Sequence, residues 1–140
     1  MLTTAEEDYE HLCRLNDSMK QSSRNAQDDL KYTLSQLPLY QILIDRHENL
    51  IKAYQMDAMV VQENRENYTD EDVAMLLNDI KIRIHIVSEE RDATLFKMRV
   101  DTESIPQLID QIMHTKAMLR EDNVMMKNLE FEIAASKRLQ

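Results

Sequence analysis

The chain has 140 residues and a formal net charge of −9, from 26 acidic and 17 basic residues. This balance excludes nucleic acid as an expected partner, because phosphate binding needs clustered lysine and arginine. Glycine is absent and only two prolines occur, where an average chain of this length carries roughly ten glycines and seven prolines. Glycine serves tight hairpins and phosphate-cradling loops, so its absence argues against strand-based folds and nucleotide-binding loops. We therefore expect an all-α fold made of long helices.

Cysteine usage and hydropathy bear on the cellular compartment. The single cysteine, Cys13, allows no internal disulfide and is typical of a reducing compartment. The sequence shows no charged-then-apolar leader, and no apolar run reaches the length of a membrane span. These features predict a cytoplasmic protein.

The first helix is expected to begin near Thr3 and Thr4. Each of these threonines precedes a glutamate by three residues, which is the spacing of a helix capping box. Apolar residues then recur every three or four positions until a polar stretch over 20–29, in which only Ala26 is apolar. We therefore expect residues 1–36 to form an N-terminal helix with a solvated end that frays or breaks.

Apolar residues return at Leu30 and continue past Pro38. A proline either kinks a helix or occupies the first turn of a new one, and we expect a new helix or a sharp kink near Leu37. The stripe that follows is broad, which predicts contacts with neighbours on more than one side. Its predicted seam residues are Leu43, Leu50 and Tyr54.

A turn is expected near 64–69, because this polar stretch contains two asparagines and leads into Thr69 and three consecutive acids, a helix N-terminus pattern. The next helix carries apolar residues in alternating steps of four and three, as a heptad seam does. A second apolar stripe lies beside this seam. Two apolar faces on one helix predict two partners. The predicted seam residues are Leu77, Ile80, Ile84 and Val87, with Phe96 on the second stripe.

A second proline, Pro106, leaves two alternatives open near 104–106. The segment is either a fresh helix start or a kink within one very long helix. Beyond it the seam continues through Ile112 and Leu119. Residues 37–140 are thus expected to form a long helical hairpin, and the whole chain an elongated antiparallel bundle of three helices with coiled-coil character that forms a homodimer or heterodimer through its spare apolar faces.

Catalytic and metal-binding patterns are weak. None of the four histidines has the paired spacing of a zinc-binding helix. His11 and Cys13 are two residues apart, so on a helix they point to different sides and do not form a thiolate–base pair. The acidic clusters lack the glycine that a calcium-binding loop uses at its bend. We therefore expect no enzyme activity, no cofactor, no metal and no small-molecule substrate.

The segment between residues 81 and 99 is near neutral or slightly basic within an acidic chain. A basic strip of this kind favours contact with an anionic membrane, at about 1 kcal/mol per well-placed charge. A solvated helix face with intrahelical ion pairs explains it equally well. The candidate membrane-contact residues are Lys81, Arg83, Arg91, Lys97 and Arg99.

Two runs of residues resemble the last two helices of a sorting-nexin BAR domain. The first contains Leu39, Tyr40, Leu43, Arg46, His47, Glu48, Leu50 and Tyr54, and the second contains Ile82, Ile84, Val87, Glu89, Glu90, Phe96 and Glu103. The resemblance covers 37–140 and implies a dimeric, crescent-shaped module on curved endosomal membrane. The short, polar first helix and the acidic balance depart from the family pattern.

Two functions follow as hypotheses. The first is a non-enzymatic dimeric helical scaffold of the sorting-nexin BAR type, peripheral on endosomal membrane and acting in membrane trafficking. The second is a coiled-coil subunit of a cytoskeletal or tethering complex without membrane contact. An acidic adaptor that docks another protein's helix differs from the second only in its partner.

Overall fold

The computed structural model describes residues 3–139, and within this range the chain is all-α, without strands. It contains two long α-helices, α1 (Thr4–Glu63) and α2 (Asp70–Arg138), with a 3₁₀ turn over Arg65–Asn67 between them. Residues 1, 2 and 140, at the ends of the predicted 1–36 and 37–140 segments, lie outside the described residues.

Both helices begin at the threonines that the sequence singles out. The Glu6 backbone N–H donates to Thr3 Oγ1 at 3.2 Å, and the Asp72 N–H donates to Thr69 Oγ1 at 3.2 Å. These threonines satisfy backbone donors that have no partner inside the helix. The predicted helix starts are confirmed.

The connection between the helices falls on 64–69, the segment predicted as a turn. Asn64 closes the last turn of α1, because both its backbone N–H and its side-chain Nδ2 donate to the Val60 carbonyl, at 3.1 and 2.8 Å. The Asn67 N–H then donates to the Asn64 carbonyl at 2.9 Å. None of residues 3–139 has a positive φ, so this reversal needs no glycine.

The expectation of three helices is wrong, because α1 continues through both 20–29 and Pro38. Proline removes one backbone hydrogen bond and costs about 3 kcal/mol in a helix interior. Buried residues on both sides, Ala26 and Ile44, pack against α2 and offset that cost. Pro106 likewise lies inside α2 rather than at a helix start, and a kink at 104–106 stays a prediction.

Burial in each helix repeats every seven residues in alternating steps of three and four. Every α1 residue on this period from Tyr9 to Val61, and every α2 residue on it from Val73 to Ile133, is buried or half-buried. We call these positions the seam. A seven-residue period with alternating steps is the spacing of paired helices in a coiled coil.

Internal contacts divide the chain into two units. The terminal unit combines α1 up to Tyr32 with α2 from Ser104 onward, and the turn unit is Thr33–Glu103. These boundaries group residues by the contacts they make between the two helices. The predicted segments 1–36 and 37–140 instead divide the chain in sequence order, so that division stays a prediction.

Among the described residues, three of the four fully buried ones on the terminal-unit seam are polar. Asn16 is 3% exposed and donates from Nδ2 to Asn123 Oδ1 at 3.3 Å, while Ser23 and Thr115 are also buried. The Thr115 hydroxyl donates to carbonyls of its own helix. The polar stretch over 20–29 is therefore packed at Ser23 and Ala26 rather than wholly solvated, which corrects the sequence-based expectation.

The seam of the turn unit is mainly aliphatic. Ile44, Ile51, Val73 and Val87 are each no more than 9% exposed. Each fully buried aliphatic side chain contributes roughly 1.5–3 kcal/mol relative to an exposed one. These four residues hold α1 and α2 together between Pro38 and the turn.

Candidate interaction surface

A second set of positions, with the same seven-residue spacing, lies on the side of each helix that faces away from the seam. In the turn unit these positions are mainly apolar, and every residue of the two stripes defined below is exposed. On α1 we define the outward stripe as Leu39, Ile42, Arg46, Asn49, Ala53, Met56 and Val60. On α2 we define it as Met75, Asp79, Ile82, Ile86, Glu89, Ala93, Phe96 and Val100.

The exposure of these side chains is large. Ile42 is 60% exposed, Met56 is 65% and Phe96 is 65%. Leu43 and Leu50 flank the α1 stripe and are also exposed. A mainly apolar stripe on a helix already packed along its opposite side marks an interaction surface rather than scattered surface residues.

Residues predicted at a helix or dimer seam fall into two groups in the structure. Seven lie on the seam between α1 and α2 and are buried or half-buried: Tyr54, Leu77, Ile80, Ile84, Val87, Ile112 and Leu119. Three are exposed: Leu43, Leu50 and Phe96. A place for these three in a dimer seam stays a prediction.

The five predicted membrane-contact residues do not share one side of α2. Arg83 and Lys97 are two heptads apart and lie on the same side, whereas Lys81 and Arg99 are each two residues from one of them and point elsewhere. Arg91 lies on the seam, half-buried, and its guanidinium Nη2 is 3.3 Å from Asp92 Oδ1. The structure therefore spreads these charges around the helix.

Four polar pairs join the helices and were not found from the sequence. Tyr9 Oη donates to Glu130 Oε1 at 2.9 Å, and Tyr40 Oη donates to Asp101 Oδ2 at 2.7 Å. The third pair is that of Asn16 with Asn123, and in the fourth Gln111 Nε2 donates to Ser22 Oγ at 3.5 Å. The seam period includes Tyr9, Asn16, Tyr40 and Asp101. These residues could therefore have been predicted as seam residues by extending the seven-residue period from apolar to polar positions.

His47 lies on the turn-unit seam, and its Nε2 atom is 3.6 Å from Glu90 Oε2. Its side chain is 13% exposed, and the Glu90 carboxylate lies beside it. The Nδ1 atom is buried and has no hydrogen-bond partner among the described residues.

The terminal unit also holds a groove of about 430 Å³ lined by Asp8, His11, Leu12, Met125, Asn128 and Leu129. Its walls are mainly apolar, with Asp8 and His11 as the ionisable groups. Among residues 3–139, no group of three or more histidine, cysteine or carboxylate side chains is placed to hold a metal ion. Within the same range, neither helix has an 18-residue stretch apolar enough to cross a membrane.

Comparisons with protein-family models, with curated proteins and with solved structures find no significant match to this chain. The geometry of the outward stripes is therefore the main basis for a functional proposal.

Proposed function

We propose that this chain is a non-enzymatic helical scaffold that acts as a dimer, like a coiled-coil subunit of a cytoskeletal or tethering complex. The observation that carries the proposal is the pair of outward stripes in the turn unit. Helices whose seam is already packed gain further stability by burying a second apolar face, at about 25 cal/mol for each Å² removed from water. Dimerisation supplies that burial.

Membrane scaffolding of the sorting-nexin BAR type on endosomes is the competing proposal. The basic residues between 81 and 99 support it, because juxtaposed lysine and arginine attract anionic lipid. The outward stripe of α2 opposes it, since Asp79 and Glu89 interrupt that stripe and would face lipid phosphates. The basic side chains also lie around several sides of α2 rather than on one face. We therefore favour assembly with protein.

Sedimentation and vesicle flotation together test the proposal. We expect a dimer in sedimentation and no flotation with either anionic or neutral vesicles. A strict monomer at every concentration tested would contradict the scaffold.

Salt-sensitive flotation with anionic vesicles alone would instead support the membrane proposal. In that case the Lys81→Glu and Lys97→Glu variants should float less, while the matched variant Lys116→Glu, in the terminal unit, should float like the parent chain. Equal flotation of all three variants would contradict membrane contact at the predicted residues.

A further inference from the structure

We infer that the terminal unit opens reversibly as a separate unit, so that its α1 and α2 segments part while the seam of the turn unit stays packed. This motion belongs to the single chain, so it goes beyond the proposed dimer and does not depend on it. Four features carry it: the residues fully buried in the terminal unit, the hydrogen bonds that cross its seam, one unpaired carboxylate oxygen, and the way its segments are connected.

The fully buried residues of the terminal unit contribute little apolar burial. Among the described residues they are Asn16, Ser23, Ala26 and Thr115. Alanine is the smallest apolar side chain that a seam can bury, and a hydrogen-bonded polar group contributes little net stability. The leucines on this seam, such as Leu12 and Leu119, are only half-buried. The turn unit instead fully buries two isoleucines and two valines, so parting the helices costs more there.

The hydrogen bonds that cross the terminal seam are exposed or long. The contacts of Tyr9 with Glu130 and of Gln111 with Ser22 are both exposed, so water replaces them when the segments part. The part-buried asparagine pair bonds at 3.3 Å, whereas the part-buried tyrosine–aspartate contact of the turn unit is 2.7 Å long. Cross-seam hydrogen bonds therefore resist opening less in the terminal unit than in the turn unit.

One seam residue opposes closure of the terminal unit. The Oδ2 atom of Asp122 is buried and has no hydrogen-bond partner among residues 3–139. Closure removes this oxygen from water without replacing the hydrogen bonds that water makes to it, and opening restores them. The unpaired oxygen therefore favours the open state.

The connection between the helices decides which unit opens first. Within the turn unit, the short segment 64–69 joins α1 to α2. If the turn unit opened first, contacts in the terminal unit would have to close a disordered loop made of all of Thr33–Glu103. Longer loops cost more entropy to close, so that order is unfavourable. Opening of the terminal unit with the turn unit packed leaves only the short connection to close.

Thiol labelling at two seam positions tests this order in the full chain. In a Cys13→Ser background, Ser23→Cys reports on the terminal unit and Val87→Cys on the turn unit, where the parent residues are 4% and 8% exposed. A buried thiol reacts with N-ethylmaleimide from an open state, so its labelling rate follows the population of that state. We expect Ser23→Cys to be labelled at least about tenfold faster. Its rate should also depend less on urea, because partial opening exposes less surface.

A change in the turn-unit seam distinguishes separate opening from a general difference between the two thiols. Ile44→Val should speed labelling of Val87→Cys about threefold to tenfold, because it weakens the packing that must be lost there. The same change should leave labelling of Ser23→Cys within about twofold, since the turn unit stays packed in that open state. The matched control Ile82→Val, at an exposed position, should change neither rate.

Equal labelling rates with equal urea dependence at the two positions would overturn the inference, because both units would then open in one cooperative step. Faster labelling of Val87→Cys would overturn it too, and so would equal acceleration of both thiols by Ile44→Val. None of these results bears on the outward stripes, so the proposed dimer would stand.

Discussion

The terminal and turn units share one seven-residue period but differ in which residues on it are fully buried. In the terminal unit, buried Asn16, Ser23 and Thr115 lie on the seam, whereas the turn unit buries Ile44 and Val87 there. The outward positions differ as well. In the turn unit they form mainly apolar stripes, and in the terminal unit α1 continues the same positions with His11, Arg14, Ser18, Gln21, Asn25, Asp28 and Tyr32, of which only Tyr32 is a large aromatic residue.

One helix pair can therefore divide stability and pairing specificity between two regions. The fully buried isoleucines and valines lie in the turn unit, so that unit is expected to contribute more to stability. A polar residue on a coiled-coil seam lowers stability but favours the register in which it finds a partner. The buried pair of Asn16 with Asn123 fits this second role. The terminal unit also exposes large apolar residues, such as Met113 and Phe131, but no continuous stripe joins them.

The largest expected effect comes from truncating the turn-unit seam. Ile44→Ala should lower the free energy of unfolding by about 2–5 kcal/mol, because it removes buried methyl groups and leaves a cavity. Ser23→Ala is the matched variant, at the equivalent seam position and equally buried. It should change the free energy of unfolding by about 1 kcal/mol or less. Urea unfolding followed by circular dichroism measures both changes. Equal losses would contradict the claim that the aliphatic seam residue contributes more to stability than the polar one.

A gain in stability is expected from an apolar residue at position 122. Asp122 lies on the terminal-unit seam, and its Oδ2 atom is buried without a hydrogen-bond partner among residues 3–139. Asp122→Leu should raise the free energy of unfolding by about 1–3 kcal/mol, because an unpaired buried carboxylate oxygen is costly. Asp110→Leu, at an exposed position of the same helix, should leave it nearly unchanged. A loss of stability in Asp122→Leu would contradict the cost assigned to this unpaired carboxylate oxygen.

Two tyrosine-to-phenylalanine variants compare how much the hydrogen bonds of Tyr40 and Tyr9 contribute to stability. Tyr40→Phe should lower the free energy of unfolding by about 1–2 kcal/mol, since it deletes a part-buried hydrogen bond to the Asp101 carboxylate. Tyr9→Phe deletes the exposed contact with Glu130 and should cost less, because water replaces that bond. The same unfolding assay compares them, with Tyr68→Phe near the turn as the control. A larger loss in Tyr9→Phe would reverse the expected ranking.

The smallest effect is a pH dependence in the terminal unit. The hydrogen bond to Glu130 and the charge of that carboxylate raise the pKa of Tyr9 from 10.0 to about 12. The folded chain therefore favours the neutral phenol, so this contribution to stability is present below pH 10 and is lost as the pH rises toward 12. Ultraviolet titration should show a late phenol that disappears in Tyr9→Phe and persists in Tyr68→Phe. If a phenol still titrates late in Tyr9→Phe, the raised pKa belongs to another tyrosine.

Much of the helical architecture could be predicted from residue types alone. The absence of glycine, the threonine caps at Thr3 and Thr69 and the asparagines near the turn act locally, within a few residues. Their structural consequences follow from sequence spacing without knowledge of distant contacts.

The continuity of α1 could not be predicted in the same way. Pro38 and the polar stretch over 20–29 both favour a break when each is considered locally. Packing of Ala26 and Ile44 against α2 offsets these local preferences, and that contact joins residues far apart in the chain. The interhelical pair of Tyr40 and Asp101 was missed for the same reason, since a tyrosine alone does not indicate which carboxylate faces it.

Sedimentation of two phenylalanine variants tests most directly the central claim that assembly uses the turn unit's outward stripes. The chain has only two phenylalanines, Phe96 at 65% exposure in the turn unit and Phe131 at 81% in the terminal unit, both on α2. The account predicts that Phe96→Glu dissociates the dimer into folded monomers while Phe131→Glu leaves it intact. Dissociation by Phe131→Glu with an intact Phe96→Glu dimer would contradict it.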